Sequence, residues 1–151
     1  ANGIANKLEI AQISIPSPFY PNETMDITIK ANKNTKCTVY LVNGTPYINI
    51  NIDILSRLTS MDVGSNTLNE ERVKKVEEYT NKYLEENILS YLYKTSKDFK
   101  TDINGFGRFA VKNFLIWNDW IDYNWLHKYE SATFNVTVKS DFKSSYLLME
   151  S

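Results

Sequence analysis

"YININIDIL" occupies residues 47–55, and its period decides what kind of protein this is. Ile48, Ile50, Ile52 and Ile54 recur at every second position, with Asn49, Asn51 and Asp53 between them. A helix, turning by about 100° per residue, scatters those isoleucines around its circumference, whereas a strand sets them all on one face. The stretch therefore predicts a strand with an apolar side against a core and a polar side open to water. The asparagines of that polar side also admit a ligand-binding reading, although a wet sheet face accounts for them.

Upstream, the same period repeats. "VNGTP" (42–46) carries Asn43-Gly44, the favoured pair of a tight two-residue hairpin turn, and joins this strand to "KCTVYLV" (36–42). Cys37, Val39 and Leu41 share one face there. Cys37 is the only cysteine, so no internal disulfide forms, and it reads as a small core hydrophobe. In "TMDITIK" (24–30), Met25, Ile27 and Ile29 alternate with Asp26, Thr28 and Lys30. "LEIAQIS" (8–14) predicts a first strand, after which Pro16, Pro18 and Pro21 break the chain and "PNET" turns it.

Downstream, the period changes. "MDVGSN" (61–66) reads as a loop and "TLNE" (67–70) as a capping box, with Thr67 at the N-cap and Glu70 at N3. Neither Gly nor Pro interrupts the chain from there to about Phe99. Val73, Val76, Tyr83, Leu84, Ile88, Tyr91 and Leu92 recur at helical spacing, while Glu71, Lys74, Lys75, Glu78, Lys82 and Glu85 fill the other side. This predicts one amphipathic helix of roughly 25–30 residues with a solvated outer face. Glu77 and Glu78 are adjacent, point about 100° apart and do not converge as a catalytic pair.

"DINGFGRF" (102–109) raises the question of a phosphate loop. It lacks the Lys and Ser/Thr of a P-loop and the third glycine of a dinucleotide loop, and it follows a helix. It reads instead as a helix junction, in which Asp102 accepts backbone N–H bonds and Gly105 and Gly107 give backbone freedom or close approach. Phe106, Phe109, Ala110, Phe114 and Trp117 fall at i, i+3, i+4, i+8 and i+11, which predicts a second amphipathic helix. If that helix continues, Trp117, Ile121 and Trp125 share a face, and the tryptophans read as core plugs. His127, the lone histidine, has no second His or Cys near it to make a metal site. "ATFNVTVK" (132–139) is a clean strand with Phe134, Val136 and Val138 inward, and "SSYLLME" (144–150) is a candidate edge strand.

The fold class that follows is α+β: a mostly antiparallel sheet with a long helix and a second, aromatic-rich helix packed on one face. The 151 residues fit one domain, 1–151. A net charge of -1 leaves no basic excess to hold a nucleic-acid backbone. No apolar run approaches the roughly 20 residues that cross a bilayer. The chain opens on Ala1 with no signal-peptide pattern, as an excised domain or mature fragment would.

These residues carry a resemblance. "KDFKTDINGFGRF" (97–109), Trp117, Trp125 with Tyr129 four residues on, and "ATFNVTV" resemble the C-terminal domain of the Ger(x)C family, the C subunits of spore germinant receptors. Asp102, Ile103, Gly105, Phe106, Gly107 and Arg108 match its D-I-x-G-F-G segment, Trp117 and Trp125 match its tryptophans, and the likeness spans roughly residues 36–139. The family's last strand runs into an arginine-rich stretch, where this chain has "KSDFKSSYLLMES" (139–151). The family also carries a lipid-modified cysteine, which Cys37 does not replace. The resemblance implies a lipoprotein subunit on the outer face of the spore inner membrane, partnered by two membrane-embedded subunits, A and B. This chain would be its soluble part, with the lipid anchor outside it. It implies no catalytic residue, cofactor or metal, and Asp102, Gly105, Phe106, Gly107, Arg108, Trp117 and Trp125 would serve structure or interaction. Two other classes stand beside it: a small-ligand module with a pocket lined by the aromatics of 117–129, and a hydrolase using His127 with Asp122.

Overall fold

The structure is a computed structural model that describes residues 10–32, 35–61 and 69–142. Five strands form one sheet: β1 (Ala11–Pro16), β2 (Thr24–Ala31), β3 (Lys36–Val42), β4 (Thr45–Met61) and β5 (Thr133–Phe142). The alternation in residues 47–55 is the middle of β4, with Ile48, Ile50 and Ile54 buried and Asn49, Asn51 and Asp53 on the opposite face. β4 bonds β3 over residues 45–51, β2 over 54–61 and β5 over 47–56. Residues 47–51 bond β3 and β5 together, and residues 54–56 bond β2 and β5 together. β3 and β2 therefore lie end to end along one side of β4, and β5 lies along the other. Three of these pairings are antiparallel and β4–β5 is parallel.

The hairpin turn forms as expected, with Asn43 at φ 51° and Gly44 at φ 76°, the left-handed pair that matches strand twist. The first strand begins later than the pattern suggested, at Ala11, and residues 8 and 9 lie outside the described residues. So does "SSYLLME". Pro16 ends β1, which among the described residues bonds only β2, and an edge strand tolerates the missing N–H.

The long helix, α1 (Glu70–Tyr93), continues as a π-helical turn over Lys94–Asp98. Its cap differs from the expected box. Thr67 lies outside the described residues, and the N-cap is Asn69, whose Oδ1 accepts the N–H of Arg72 at 2.9 Å. Glu70 is thus the first helical residue. Two apolar clusters fill the space between helix and sheet. One gathers Ile48, Ile50, Ile54, Leu92, Phe106, Trp125, Tyr129, Phe134, Val136 and Val138. The other gathers Ile15, Met25, Ile27, Leu58 and Val76. Cys37 packs half-buried against the first, and burial pushes its thiol pKa up.

Part of the helix face expected to be solvated has a different job. Among the described residues β5 borders only β4, on one side, so its outward N–H groups need partners. Glu77 Oε1 accepts from Phe142 N at 3.2 Å, Asn81 Oδ1 from Ser140 N at 2.8 Å and Glu85 Oε1 from Val138 N at 2.9 Å. Tyr93 Oη accepts from Phe134 N at 3.3 Å. Helix positions four apart rise about 6 Å and strand positions two apart about 6.6 Å, so the two rows run nearly in step. Glu85 is therefore half-buried against a strand edge and does not lie on an open face.

The predicted second helix is broken. The chain forms α2 (Gly107–Ala110), a 3₁₀ turn (Val111–Asn113), α3 (Trp117–Tyr123) and α4 (Trp125–Tyr129). Phe114 and Ile116 are extended, at φ -114° and -118°. Two asparagines account for the breaks. Asn113 Nδ2 donates to Val39 O at 2.9 Å and Ala110 O at 3.0 Å, pinning the chain to β3. Asn124 takes the left-handed conformation, φ 53°, which Asn tolerates better than most residues.

Candidate functional site

Asp102 is the hub of the glycine-bearing segment. Its Oδ1 accepts the N–H of Phe106 at 2.8 Å, and its Oδ2 accepts the N–H of Gly107 at 2.7 Å. The same Oδ2 accepts the indole Nε1–H of Trp125 at 2.9 Å. The backbone amides that an external anion would use are already taken by this carboxylate, so the loop closes on itself.

Each glycine has its own reason. Gly105 sits at φ 71°, where a side chain is strained. At Gly107 the reason is space: a Cβ would lie 2.9 Å from Trp125 Nε1, 3.0 Å from its Cδ1 and 3.4 Å from Asp102 Oδ2. Between them Phe106 enters the core, 6.3 Å from the Tyr129 ring and 6.2 Å from the Phe134 ring. Asp102, Gly105, Phe106, Gly107 and Trp125 are thus brought into one packed unit.

The remaining motif residues are not part of it. Arg108 is exposed, its guanidinium carbon 5.1 Å over the Phe109 ring. Trp117 is 66% exposed and Ile121 57%, against 9% for Trp125. The three do not share a face, because Asn124 turns the chain between α3 and α4. The expectation of Trp117 as a core plug is therefore corrected. His127 is exposed, and no group of three or more His, Cys, Asp or Glu side chains among the described residues is placed to hold a metal ion.

Ring contacts lead from this unit in both directions. Trp125 lies 5.6 Å from Tyr129, which meets Phe134 edge-on at 5.8 Å. Toward the surface Trp120 stacks on Trp125 at 6.0 Å, and Phe114 packs on Trp120 at 5.5 Å and on Tyr123 at 5.0 Å. Tyr123 Oη donates to Gly44 O at 2.8 Å, fastening α3 to the β3–β4 turn. Tyr129 Oη lies 3.1 Å from Oγ1 of Thr95, a buried residue of the π-helical turn, and burial pushes the Tyr129 pKa up to about 12. No local sequence pattern announces Thr95, Asn113 or Tyr123, since each makes a hydrogen bond to a residue far away in the chain.

A family model described as "Spore germination B3/GerAC like, C-terminal" matches residues 1–145. The chain belongs to this family. Among solved structures, the GerAC-like chain is similar to the "Crystal Structure of the GerBC protein", with a TM-score of 0.70 and 16% identity. The match covers 87% of this chain and 40% of that one. At that identity the likeness is one of fold. No curated protein matches the sequence. By its description the family is one of spore germination, and the GerAC-like chain spans 40% of the length of the GerBC chain that it resembles. No helix among the described residues is long and apolar enough to cross a membrane.

Proposed function

We propose that residues 1–151 form the C-terminal domain of a germinant-receptor C subunit, and that the domain acts without catalysis in receptor assembly or signal transmission during nutrient-triggered germination. Its partners are the membrane-embedded A and B subunits, and a lipid anchor outside this chain holds it to the outer face of the spore inner membrane. The observation that carries this reading is the Asp102 unit. The most distinctive residues of the chain, Asp102, Gly105, Phe106, Gly107 and Trp125, are spent on one another, so their role is to hold a shape. Rigid shape is what a subunit that docks or transmits requires.

The test removes this domain from the C subunit. Spores then lose their response to nutrient, and the A and B subunits no longer co-purify with the C subunit. A normal nutrient response without the domain contradicts the proposal. The small-ligand reading has less support, because the rings of Phe114, Trp120, Tyr123, Trp125 and Tyr129 pack on one another with centroids 5.0–6.4 Å apart. A concentration-dependent rise in Tm with amino acids, sugars or nucleosides would revive it.

A further inference from the structure

The two apolar clusters between α1 and the sheet are parted by a layer of hydroxyl side chains. On α1, Val76 belongs to the cluster around Ile15, Leu84 packs on the cluster around Ile50, and Thr80 lies between them. On β4 the same order is Leu58, Ser56, Ile54, and on β5 it is Phe142, Ser140, Val138. Residues four apart on a helix and two apart on a strand face the same way. Each inward row therefore changes cluster across a single hydroxyl.

The three hydroxyls lie at one level of the fold. Ser56 pairs with Phe142, whose N–H is held by Glu77. Ser140 Oγ donates to Asn81 Oδ1 at 2.6 Å, and Thr80 is on the helical turn that runs from Glu77 to Asn81. All are buried, with Thr80 at 0% exposure, Ser56 at 2% and Ser140 at 6%. Ser140 has its partner, but Ser56 Oγ and Thr80 Oγ1 have no hydrogen-bond partner among the described residues. A buried hydroxyl without a partner costs free energy that contact with water returns. Opening along this layer wets two groups that gain by it, whereas a break elsewhere in the core wets apolar side chains alone. Among the described residues Ile29, paired with Ser56, packs on both clusters and bridges the layer.

The two sides are unequal. The buried members on one side, Ile15, Met25, Ile27, Leu58 and Val76, include no aromatic ring. The other side buries Phe106, Trp125, Tyr129 and Phe134 and contains the Asp102 unit. The side that buries less opens at the lower free energy.

We propose that the hydroxyl layer is a line of separation built into the fold. β1, β2 and the first turns of α1 open across it as one unit, while the half that carries the Asp102 unit stays folded. A separable unit of this kind is independent of the receptor-subunit reading. Native-state hydrogen exchange of the chain in low concentrations of denaturant tests it. The amides of Thr28, Ile29 and Val76 share one opening with one common dependence on denaturant, and are about a hundredfold less protected than those of Ile50, Leu92 and Thr137. Ile50→Val lowers protection of the second group several-fold and leaves the first unchanged, because Ile50 stays packed when the unit opens. The double variant Ser56→Ala, Thr80→Val removes both unpartnered hydroxyls and raises protection of the first group about tenfold. Equal protection of the two groups overturns the proposal, as do first-group amides that open separately from one another, or an equal response of both groups to Ile50→Val. Unchanged or lower protection of the first group in the double variant also overturns it, because the opening then bypasses the layer.

Discussion

Trp125 and Trp117 stand eight residues apart in one aromatic run and end in opposite surroundings, 9% and 66% exposed. The region around Trp125 is held by a carboxylate that bonds its indole N–H, by a glycine that lets the ring edge approach, and by Phe106, Tyr129 and Phe134 beneath. The region around Trp117 has none of these on its outer side. Residue type alone does not decide burial here. What decides it is whether the polar atom of the ring finds a fixed partner, since a buried indole N–H left unpaired costs about 1–3 kcal/mol.

The largest expected effect comes from filling the space that the Trp125 region requires. Gly107→Val forces the indole and the Asp102 carboxylate apart and destabilises the domain by about 3 kcal/mol in chemical denaturation. A midpoint equal to wild type would show that the close approach is not needed. Asp102→Ala leaves two backbone N–H groups and the indole N–H without their acceptor, with a loss of about 2 kcal/mol.

A smaller effect follows from alkali. The Tyr129 pKa is raised to about 12 from an ordinary value of 10.0. Its folded pKa lies above its unfolded one, so its contribution is complete below pH 10 and fades as pH climbs toward 12, by about 1 kcal/mol at pH 11. Urea titrations at pH 8 and 11 should show this loss in wild type and a reduced one in Tyr129→Phe. Trp117→Ala tests the other side of the comparison: it changes stability by less than about 0.5 kcal/mol. A loss as large as that of Asp102→Ala would mean that Trp117 is packed after all.

Sequence legibility divides along the same line. β2, β3, β4, β5 and α1 were readable because a period of two or of 3.6 is local, and so was the Asn43-Gly44 turn. The α+β class follows from them. The parallel β4–β5 pairing was not readable, since strand direction depends on how the long connection packs. The row Glu77, Asn81, Glu85 carries a four-residue spacing, but polar residues at that spacing look the same whether they face water or a strand edge. The segment 106–129 misled because helical spacing of apolar residues continues across two breaks. The signals were Asn113 and Asn124, and only the tertiary partner of the first and the backbone of the second reveal what they do. In "DINGFGRF" the junction reading and the capping role of Asp102 were visible. The third ligand of that carboxylate, Trp125, lies 23 residues away and was not.

The account turns on the claim that Asp102 holds Trp125 against Gly107. A double-mutant cycle with Asp102→Ala and Trp125→Phe, read by denaturant unfolding, measures that link directly. The account predicts a coupling energy of about 1 kcal/mol or more. Losses that add within about 0.3 kcal/mol would contradict it.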